Sequence, residues 1–303
     1  MKSPQDSAPD NHSGPVTRDY IGKPSISEPE MSECADAPAA GLTIFQHRRG
    51  YRFGLDALLL ATDLEHCGVA PPGDPKSDSP AQSAPCVVEF GAAQGIVSLC
   101  VARQYPHLEV VAVERQEALF GLLEQNIEAN RLQQQVRALR LDIRDIRAPN
   151  RVDSAPGLAA HSADLVLCNP PYFKKGDRRP SANPERAAAR HELHGGLGDF
   201  VDAARYILKQ RGRLKIILPP IRLAELLSCI EGSDLAMETM RFFHSRADSD
   251  AYLVESVLRR GGSPDMRVRA PLFIYQNADD YSEEVRRRVD GAAALAEPME
   301  PQQ

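Results

Sequence analysis

The segment Asn169-Pro170-Pro171-Tyr172 carries residue types that could activate an amino group for attack. Two successive prolines end a β-strand, because each lacks an N–H donor and holds φ at about −65°. A strand end alone explains the prolines, but not the asparagine before them or the aromatic ring after them. The nitrogen of an aromatic amine or an amide is a weak nucleophile because its lone pair is delocalised. A catalyst must therefore favour the localised form as attack proceeds.

We predict a catalytic role for all four residues of this segment. The side-chain carbonyl of Asn169 and the backbone carbonyl of Pro170 each accept one N–H of the target amine. The rigid unit of Pro170 and Pro171 fixes these two acceptors. Tyr172 offers a face on which an unstacked base can lie.

A glycine-rich turn follows an earlier apolar segment and is the first place to look for a bound cofactor. Gly91 and Gly95 let the backbone pass close to a ligand because neither has a Cβ atom. In the dinucleotide-binding pattern G-x-G-x-x-G, the second and third glycines would stand where this chain has Ala93 and Ile96. These two mismatches disfavour NAD as the ligand.

Two carboxylates follow the next two apolar segments. Glu114 is placed to accept both hydroxyls of a ribose, and Asp142 is placed to meet an adenine amino group. Each carboxylate alone is more often a solvated loop residue. Three consecutive strand ends that each deliver a group suited to a nucleoside favour a cofactor that contains one.

Together these residues resemble the class I S-adenosylmethionine-dependent methyltransferases. The resemblance implies S-adenosylmethionine as the cofactor and no metal, because the methyl donor is already a sulfonium. It also implies that Glu89, Gly91 and Gly95 surround the methionine moiety. Glu114 then holds the ribose and Asp142 meets the adenine. Ala93 stands where the family usually has glycine.

The Asn-Pro-Pro-Tyr segment is similar to that of the amino-methyltransferases, which modify adenine N6, cytosine N4 or a protein glutamine amide. Residues 174–190, directly after it, hold six basic and two acidic residues. Such a loop is either merely solvated or binds phosphates, and beside this motif it favours a nucleic-acid backbone over a peptide. The predicted RNA contacts are Lys174, Lys175, Arg178, Arg179, Arg186 and Arg190.

Two further stretches, residues 46–56 and 189–192, resemble the tRNA (adenine-N6)-methyltransferase family that acts beside the anticodon of a valine tRNA. The similarity covers roughly residues 42–260. It implies an RNA substrate, and the choice of tRNA over ribosomal RNA rests on the resemblance alone. Asp56 closes the first stretch, where it either contacts the amino-acid end of the cofactor or caps the helix that begins there.

Three alternatives stay open at this point. The protein could methylate the N5 amide of a protein glutamine, although this has no evident need for the basic loop. It could be a ribosomal RNA amino-methyltransferase. It could also be a noncatalytic RNA-binding module, for which Asn169 would be dispensable.

Short β-branched segments alternate with helical ones, which is the pattern of βαβ units in a parallel sheet. We predict five parallel strands followed by a C-terminal β-hairpin. The result is a doubly wound, mostly parallel, seven-stranded α/β sheet. A small N-terminal strand pair within residues 42–52, turning at Arg49 and Gly50, and a helix over 55–64 precede it. The predicted strands are 86–90, 109–114, 136–141, 164–168, 213–218, 238–243 and 251–258, and the predicted helices are 96–105, 116–130, 198–210 and 221–231.

Composition sets the outer limits of the fold. Of the 303 residues, 42% are hydrophobic and 26% are charged, which excludes a wholly disordered, collagenous or coiled-coil chain. Residues 1–40 are rich in Ser, Pro and acidic residues, and we expect a disordered tail there. The methyltransferase domain should span 41–278, with a flexible loop at 71–85. A mobile tail at 279–303 should follow, in which 281–289 could form a short charged helix.

Charge and cysteine content bear on the partners. The net charge is −6, but residues 1–40 and 279–303 each hold three basic and seven acidic residues, so the remainder is slightly positive. The acidity therefore does not exclude an RNA partner. Six scattered cysteines without a CxxC pair indicate reduced thiols rather than a metal site. The absence of a long apolar run predicts a soluble, cytoplasmic protein with no membrane partner, and we expect a monomer.

Overall fold

Eleven β-strands and six α-helices are formed by the part of the chain that the computed structural model describes. This part comprises residues 33–37, 41–47, 52–69, 84–146, 158–172, 195–262, 265–277 and 280–294. The helices are α1 (Leu55–Leu60), α2 (Ile96–Gln104), α3 (Glu117–Ala129), α4 (Leu197–Ile207), α5 (Leu223–Ile230) and α6 (Glu283–Ala294). The strands are β1 (Glu33–Ala37), β2 (Leu42–Gln46), β3 (Cys86–Phe90), β4 (Glu109–Glu114), β5 (Val136–Arg140), β6 (Ala163–Cys168), β7 (Leu208–Leu218), β8 (Leu235–His244), β9 (Ala251–Arg260), β10 (Arg267–Val268) and β11 (Leu272–Phe273).

The main sheet has the strand order β10-β8-β9-β7-β6-β3-β4-β5, and β11 pairs with β8. Strands β3 to β7 are parallel to one another, and β9 runs antiparallel between β7 and β8. The prediction of a doubly wound, mostly parallel α/β sheet with a C-terminal hairpin is confirmed. The predicted count of seven strands is wrong, because β10 and β11 also pair with β8. Each has only two residues, too few for a hydrophobic period to indicate a strand.

Apolar residues cover both faces of this sheet. On β3, Val87 belongs to the core cluster that includes α1, α2 and α3, while Val88 belongs to the cluster that includes α4. Successive side chains of a strand point to opposite faces, so a strand covered on both sides is apolar throughout. This is why the central strands could be predicted from continuous apolar segments. Strands β3 and β4 have the predicted bounds, and β6 begins one residue earlier.

The N-terminal strand pair differs from the prediction. Strand β2 pairs antiparallel with β1, so residues 33–37 form a strand within the segment expected to be disordered. The predicted turn at Arg49 and Gly50 lies outside the described residues, and the partner that the structure gives β2 is β1. Composition alone misses β1, because its contribution is backbone hydrogen bonds to β2. Helix α1 is also shorter than predicted, and a 3₁₀ helix at Leu64–Cys67 follows it.

The C-terminal segment is also more ordered than predicted. Helix α6 confirms the short charged helix, and Val285 within it is fully buried. Glu284 Oε1 of this helix lies 2.6 Å from Arg241 Nη1, and Arg288 Nη2 lies 2.9 Å from Asp63 Oδ2. These ion pairs join the helix to β8 and to the residues after α1. The mobile tail is therefore corrected for residues 283–294.

Helix α3 holds β2 through two side-chain amides. The Phe45 N–H donates to Asn126 Oδ1 at 2.7 Å, and Asn126 Nδ2 donates to the carbonyls of Phe45 at 3.0 Å and Gln94 at 2.8 Å. One turn later, Asn130 makes the same exchange with the backbone of Thr43. Residues four apart lie on one helix face, so the two amides act together as a strand edge for β2.

We predict that Asn126→Ala lowers the free energy of unfolding by about 3 kcal/mol. Three main-chain groups then lose a buried partner, at about 1 kcal/mol each. Urea unfolding of the purified protein measures this, with Gln125→Ala on the exposed side of the same helix as the matched control. A loss no larger than that of the control, which should stay within about 0.5 kcal/mol, would contradict the role given to Asn126.

Candidate active site

A cleft opens at the carboxyl ends of β3, β4, β5 and β6. The chain runs outward from β3 to β5 and then crosses to β6 on the other side of β3, so this is the switch point of the sheet, where such folds bind ligands. The cleft is partly open to solvent, as a binding site for a small molecule must be. Of the residues predicted from the sequence, Glu89, Gly91, Glu114, Asp142, Asn169 and Pro171 line it.

Other predicted residues lie near the cleft without lining it. Gly95 precedes α2 with φ +94°, and a Cβ atom there would overlap Leu123 of α3, so its small size serves helix packing. Pro170 is buried, and Tyr172 is half-buried. The six basic residues predicted to contact RNA lie outside the described residues: Lys174, Lys175, Arg178, Arg179, Arg186 and Arg190.

The turn after β3 has a left-handed backbone at Gly91 and at Ala93. Gly91 has φ +72°, and the space that its Cβ would occupy is open. Ala93 also adopts a left-handed backbone, with φ +50°, which costs a non-glycine residue some strain. Its N–H donates to Glu114 Oε2 at 2.9 Å. This hydrogen bond links the turn to the carboxylate at the end of β4.

Two carboxylates are buried in the cleft wall. Glu89 is 4% exposed and accepts the Ser98 N–H at 2.9 Å and the Ser98 hydroxyl. Burial raises the pKa of Glu89 to about 8, with a further upward contribution from the charge of Glu114. Burial also raises the pKa of Glu114, against the hydrogen bonds that it accepts from the backbone N–H groups of Gln116 and Ala93. A cation placed in the cleft would stabilise the ionised form of both carboxylates.

Asp142 has a different environment at the end of β5. It accepts hydrogen bonds from Arg144 Nε at 2.9 Å, from Arg144 Nη2 at 2.7 Å and from the backbone N–H of Arg144 at 3.0 Å. These hydrogen bonds lower the pKa of Asp142, and the charge of Arg115 acts in the same direction. Asp142 is therefore a paired carboxylate at the rim. Sequence reasoning missed Arg144, whose exposed side chain gives no signal of its own.

The amide of Asn169 has a defined orientation. Its Nδ2 donates to Asp56 Oδ2 at 3.1 Å, and the Tyr172 hydroxyl donates to the same oxygen at 2.6 Å. The Asn169 Oδ1 atom is buried and has no hydrogen-bond partner among the described residues. Asn169, which lines the cleft, thus carries a buried acceptor without a partner among the described residues. Sequence reasoning placed Asp56 at the cofactor or at a helix cap, but its carboxylate binds this asparagine and Gly54 occupies the N-cap position.

A buried arginine holds the diproline corner from the other side. Arg222 follows β7, is 4% exposed and donates through Nη1 to the Pro171 carbonyl at 2.7 Å. Glu225 accepts the same guanidinium at 2.8 Å. This hydrogen bond from a buried, charged donor fixes the corner. The pairing joins residues 51 apart and has no local sequence signal.

Comparison with known proteins finds similarity to methyltransferases. The lysine methyltransferase family model matches residues 60–168. A tRNA1(Val) (adenine(37)-N6)-methyltransferase from Tolumonas auensis is 30% identical over 142 residues, which cover 46% of this chain and 54% of the relative. A release factor glutamine methyltransferase from Homo sapiens is 28% identical over 130 residues, 43% of this chain and 37% of the relative. The chain spans about half the length of the tRNA relatives that it matches.

The fold has a relative among solved structures. A predicted O-methyltransferase from Agrobacterium tumefaciens superposes with a TM-score of 0.59 and 23% identity, over 78% of this chain and 97% of that one. The chain is similar to the S-adenosylmethionine-dependent methyltransferases. The resemblance indicated by the motifs is thus confirmed, together with the class I fold and S-adenosylmethionine as the cofactor.

The cleft residues fit this cofactor. Two buried carboxylates suit the ammonium and the sulfonium of S-adenosylmethionine, and the open space at Gly91 leaves room beside the backbone. Within the described ranges, no helix is both long enough and apolar enough to cross a membrane. The described residues also contain no group of three or more His, Cys, Asp or Glu side chains that could hold a metal ion.

We predict that Glu89 makes stability depend on pH. Its pKa of about 8 in the folded protein exceeds the ordinary value of 4.5, so folding takes up a proton between these values. Its contribution to stability is complete below pH 4.5 and is lost as the pH rises through 8. The free energy of unfolding should therefore fall by up to about 1.4 kcal/mol per pH unit in this window, relative to Glu89→Gln.

Urea unfolding of both proteins at about pH 5, 6.5 and 8 measures the difference. Glu124→Gln, an exposed carboxylate of α3, is the control and should follow the parent protein. If the parent and Glu89→Gln lose stability in parallel, Glu89 does not take up the proton.

Proposed function

We propose that this protein transfers the methyl group of S-adenosylmethionine to the exocyclic N6 amine of an adenosine in RNA. The observation that carries the proposal is the buried, unpaired Oδ1 of Asn169 in the wall of a cleft that fits the cofactor. An unpaired buried acceptor is costly, and a substrate N–H is the group that would satisfy it. The RNA is a tRNA, modified next to the anticodon. The cytoplasmic location stays a prediction.

On this proposal, the cleft contacts three parts of the cofactor: the methionine moiety, the ribose and the adenine. Glu89 and Gly91 lie beside the methionine moiety, with Gly95 shaping the turn from behind. Glu114 binds the ribose hydroxyls, since each carboxylate oxygen that accepts a backbone N–H keeps a second lone pair. Asp142 meets the adenine while it stays paired with Arg144. The bound cofactor supplies a methyl group activated by a positively charged sulfur.

The four residues after β6 act on the target amine. The Asn169 Oδ1 and the Pro170 carbonyl each accept one N–H of N6, which favours the tetrahedral nitrogen whose lone pair can attack. The acceptors bind more strongly as positive charge grows on N6, so they stabilise the transition state more than the bound substrate. Pro171 keeps the corner rigid, and Tyr172 stacks on the adenine. The proton then leaves to solvent or to a weak base.

The RNA substrate is supported by two independent features. The relatives with 30% and 28% identity are tRNA1(Val) (adenine(37)-N6)-methyltransferases, which is why we propose a tRNA. The net positive loop at 174–190 suits a phosphate backbone. We propose that its basic residues bind the RNA: Lys174, Lys175, Arg178, Arg179, Arg186 and Arg190.

A second candidate is methylation of a protein glutamine amide. An amide nitrogen has the same delocalised lone pair and two N–H donors, so the acceptors at Asn169 and Pro170 would suit it equally. The similarity to the glutamine methyltransferase from Homo sapiens favours this candidate. The basic loop favours RNA, and the choice between them is experimental.

We predict that the purified protein, with isotope-labelled S-adenosylmethionine and unmodified total tRNA, places the label in N6-methyladenosine. Asn169→Ala should lower kcat at least about 100-fold, because one acceptor of the developing charge is lost. Its affinity for the cofactor should change less than about twofold. Nucleoside mass spectrometry identifies the product, and calorimetry measures cofactor binding.

Gln133→Ala, on an exposed loop outside the cleft, serves as the control and should keep full activity. Label in protein glutamine, with none in RNA, would replace the proposed substrate by the second candidate. Unchanged turnover of Asn169→Ala would exclude the acceptor role. RNA binding without methyl transfer would indicate a noncatalytic module.

A further inference from the structure

Asp56 joins two elements that are distant in the sequence. It lies in the first turn of α1, and its Oδ2 accepts both Asn169 Nδ2 at 3.1 Å and the Tyr172 hydroxyl at 2.6 Å. Asn169 and Tyr172 are 113 and 116 residues further along the chain. Asp56 itself is not part of the cleft lining, whereas its neighbour Ala57 and its partner Asn169 are. Its carboxylate therefore contacts Asn169 and Tyr172 without lining the cleft itself.

The carboxylate of Asp56, which accepts hydrogen bonds from both residues, selects one orientation of the Asn169 amide. A primary amide has nearly the same shape after a rotation by 180°, but the rotation exchanges its acceptor and its donors. In the observed orientation, Nδ2 faces Asp56 and Oδ1 stays free of partners among the described residues. In the rotated orientation, Oδ1 would oppose a carboxylate that already accepts the Tyr172 hydroxyl. The amide would also present N–H groups to the N–H groups of the substrate.

The same hydrogen bond strengthens the useful acceptor. An amide that donates to a carboxylate is polarised, and its oxygen becomes more negative. The partial burial of this contact reduces the competition from water for either group. Positive charge that develops on the target nitrogen thus faces an acceptor polarised in advance.

We propose that Asp56 is a positioning residue for methyl transfer: its carboxylate fixes the Asn169 amide with Oδ1 directed to the target nitrogen and holds Tyr172 beside it. This inference rests on the proposed function. It also assigns a role to helix α1, which carries Asp56. Leu59 and Leu60 are fully buried and anchor α1 in the core, which sets the place of Asp56.

The test compares Asp56→Asn, which keeps the size of the side chain, with Tyr172→Phe, which removes one donor from the same oxygen. We expect Asp56→Asn to lower kcat about 10- to 100-fold while the KM for RNA and the Kd for S-adenosylmethionine change less than about twofold. Tyr172→Phe should lower kcat less than about fivefold, because the contact between Asp56 and Asn169 remains. Glu124→Gln, an exposed carboxylate of α3, is the charge control and should have unchanged kinetics.

A spectroscopic measurement on the protein alone complements the kinetics. In a ¹H–¹⁵N spectrum, the Asn169 side-chain amide is identified by its absence from Asn169→Ala. Its signal should have the downfield shift and slow exchange of a donor to a carboxylate. Both should be lost in Asp56→Ala and reduced in Asp56→Asn, whose amide oxygen is an uncharged and therefore weaker acceptor. Tyr172→Phe should keep them. A merely structural carboxylate would leave this signal unchanged.

The outcomes separate this inference from the proposed function. Loss of kcat together with a changed Asn169 signal supports the positioning role. Unchanged kcat, or a parallel fall of kcat and cofactor affinity with an unchanged signal, overturns it. If the parent protein methylates no RNA, the proposed function is wrong. The amide signal then still decides whether Asp56 orients Asn169.

Discussion

The parallel pairing of β3 with β4 on one side and β6 on the other is the constraint on which the site depends. Phe90 of β3 is level with Val113 of β4 and with Cys168 of β6. The residues that follow these three are Gly91, Glu114 and Asn169, which therefore emerge level with one another at one edge of the sheet. Because neighbouring strands are about 4.8 Å apart, the three backbones fall within about 10 Å. A cofactor that spans this distance touches all three.

This arrangement also determines the electrostatics of the cleft. Glu89 and Glu114 are held by hydrogen bonds from backbone and hydroxyl groups but have no basic partner in direct contact among the described residues, so burial raises their pKa values. Asp142 lies nearer the rim, where Arg144 lowers its pKa. The buried end of the cleft thus favours positive charge, and the rim is already neutralised. A ligand with a cationic end and a neutral aromatic end matches this polarity.

The sequence predicted what depends on local pattern. Apolar segments covered on both faces gave β3 and β4 their bounds, and the residues at their carboxyl ends gave most of the cleft. What it missed depends on contacts between distant segments. No periodic pattern or short spacing in the sequence indicates the hydrogen bond from Arg222 to the Pro171 carbonyl or that from Asn169 to Asp56. Strand β1 was missed because the composition of its segment gave no signal of the backbone pairing with β2.

The basic residues of 174–190 and the turn at Arg49 and Gly50 lie outside the described residues, so the geometry bears on the reacting end and on the cofactor end of the site. We propose that Asn169 Oδ1 and the Pro170 carbonyl face the target nitrogen, while Asn169 Nδ2 keeps its hydrogen bond to Asp56.

A crystal structure with a bisubstrate analogue, in which adenosine N6 is linked to the amino-acid end of the cofactor, measures this orientation most directly. We expect Asn169 Oδ1 and the Pro170 carbonyl oxygen each to lie about 3 Å from N6, with Asn169 Nδ2 still hydrogen-bonded to Asp56. An adenine bound more than about 4 Å from both oxygens, or an Asn169 amide that has turned its Nδ2 toward N6, would contradict it.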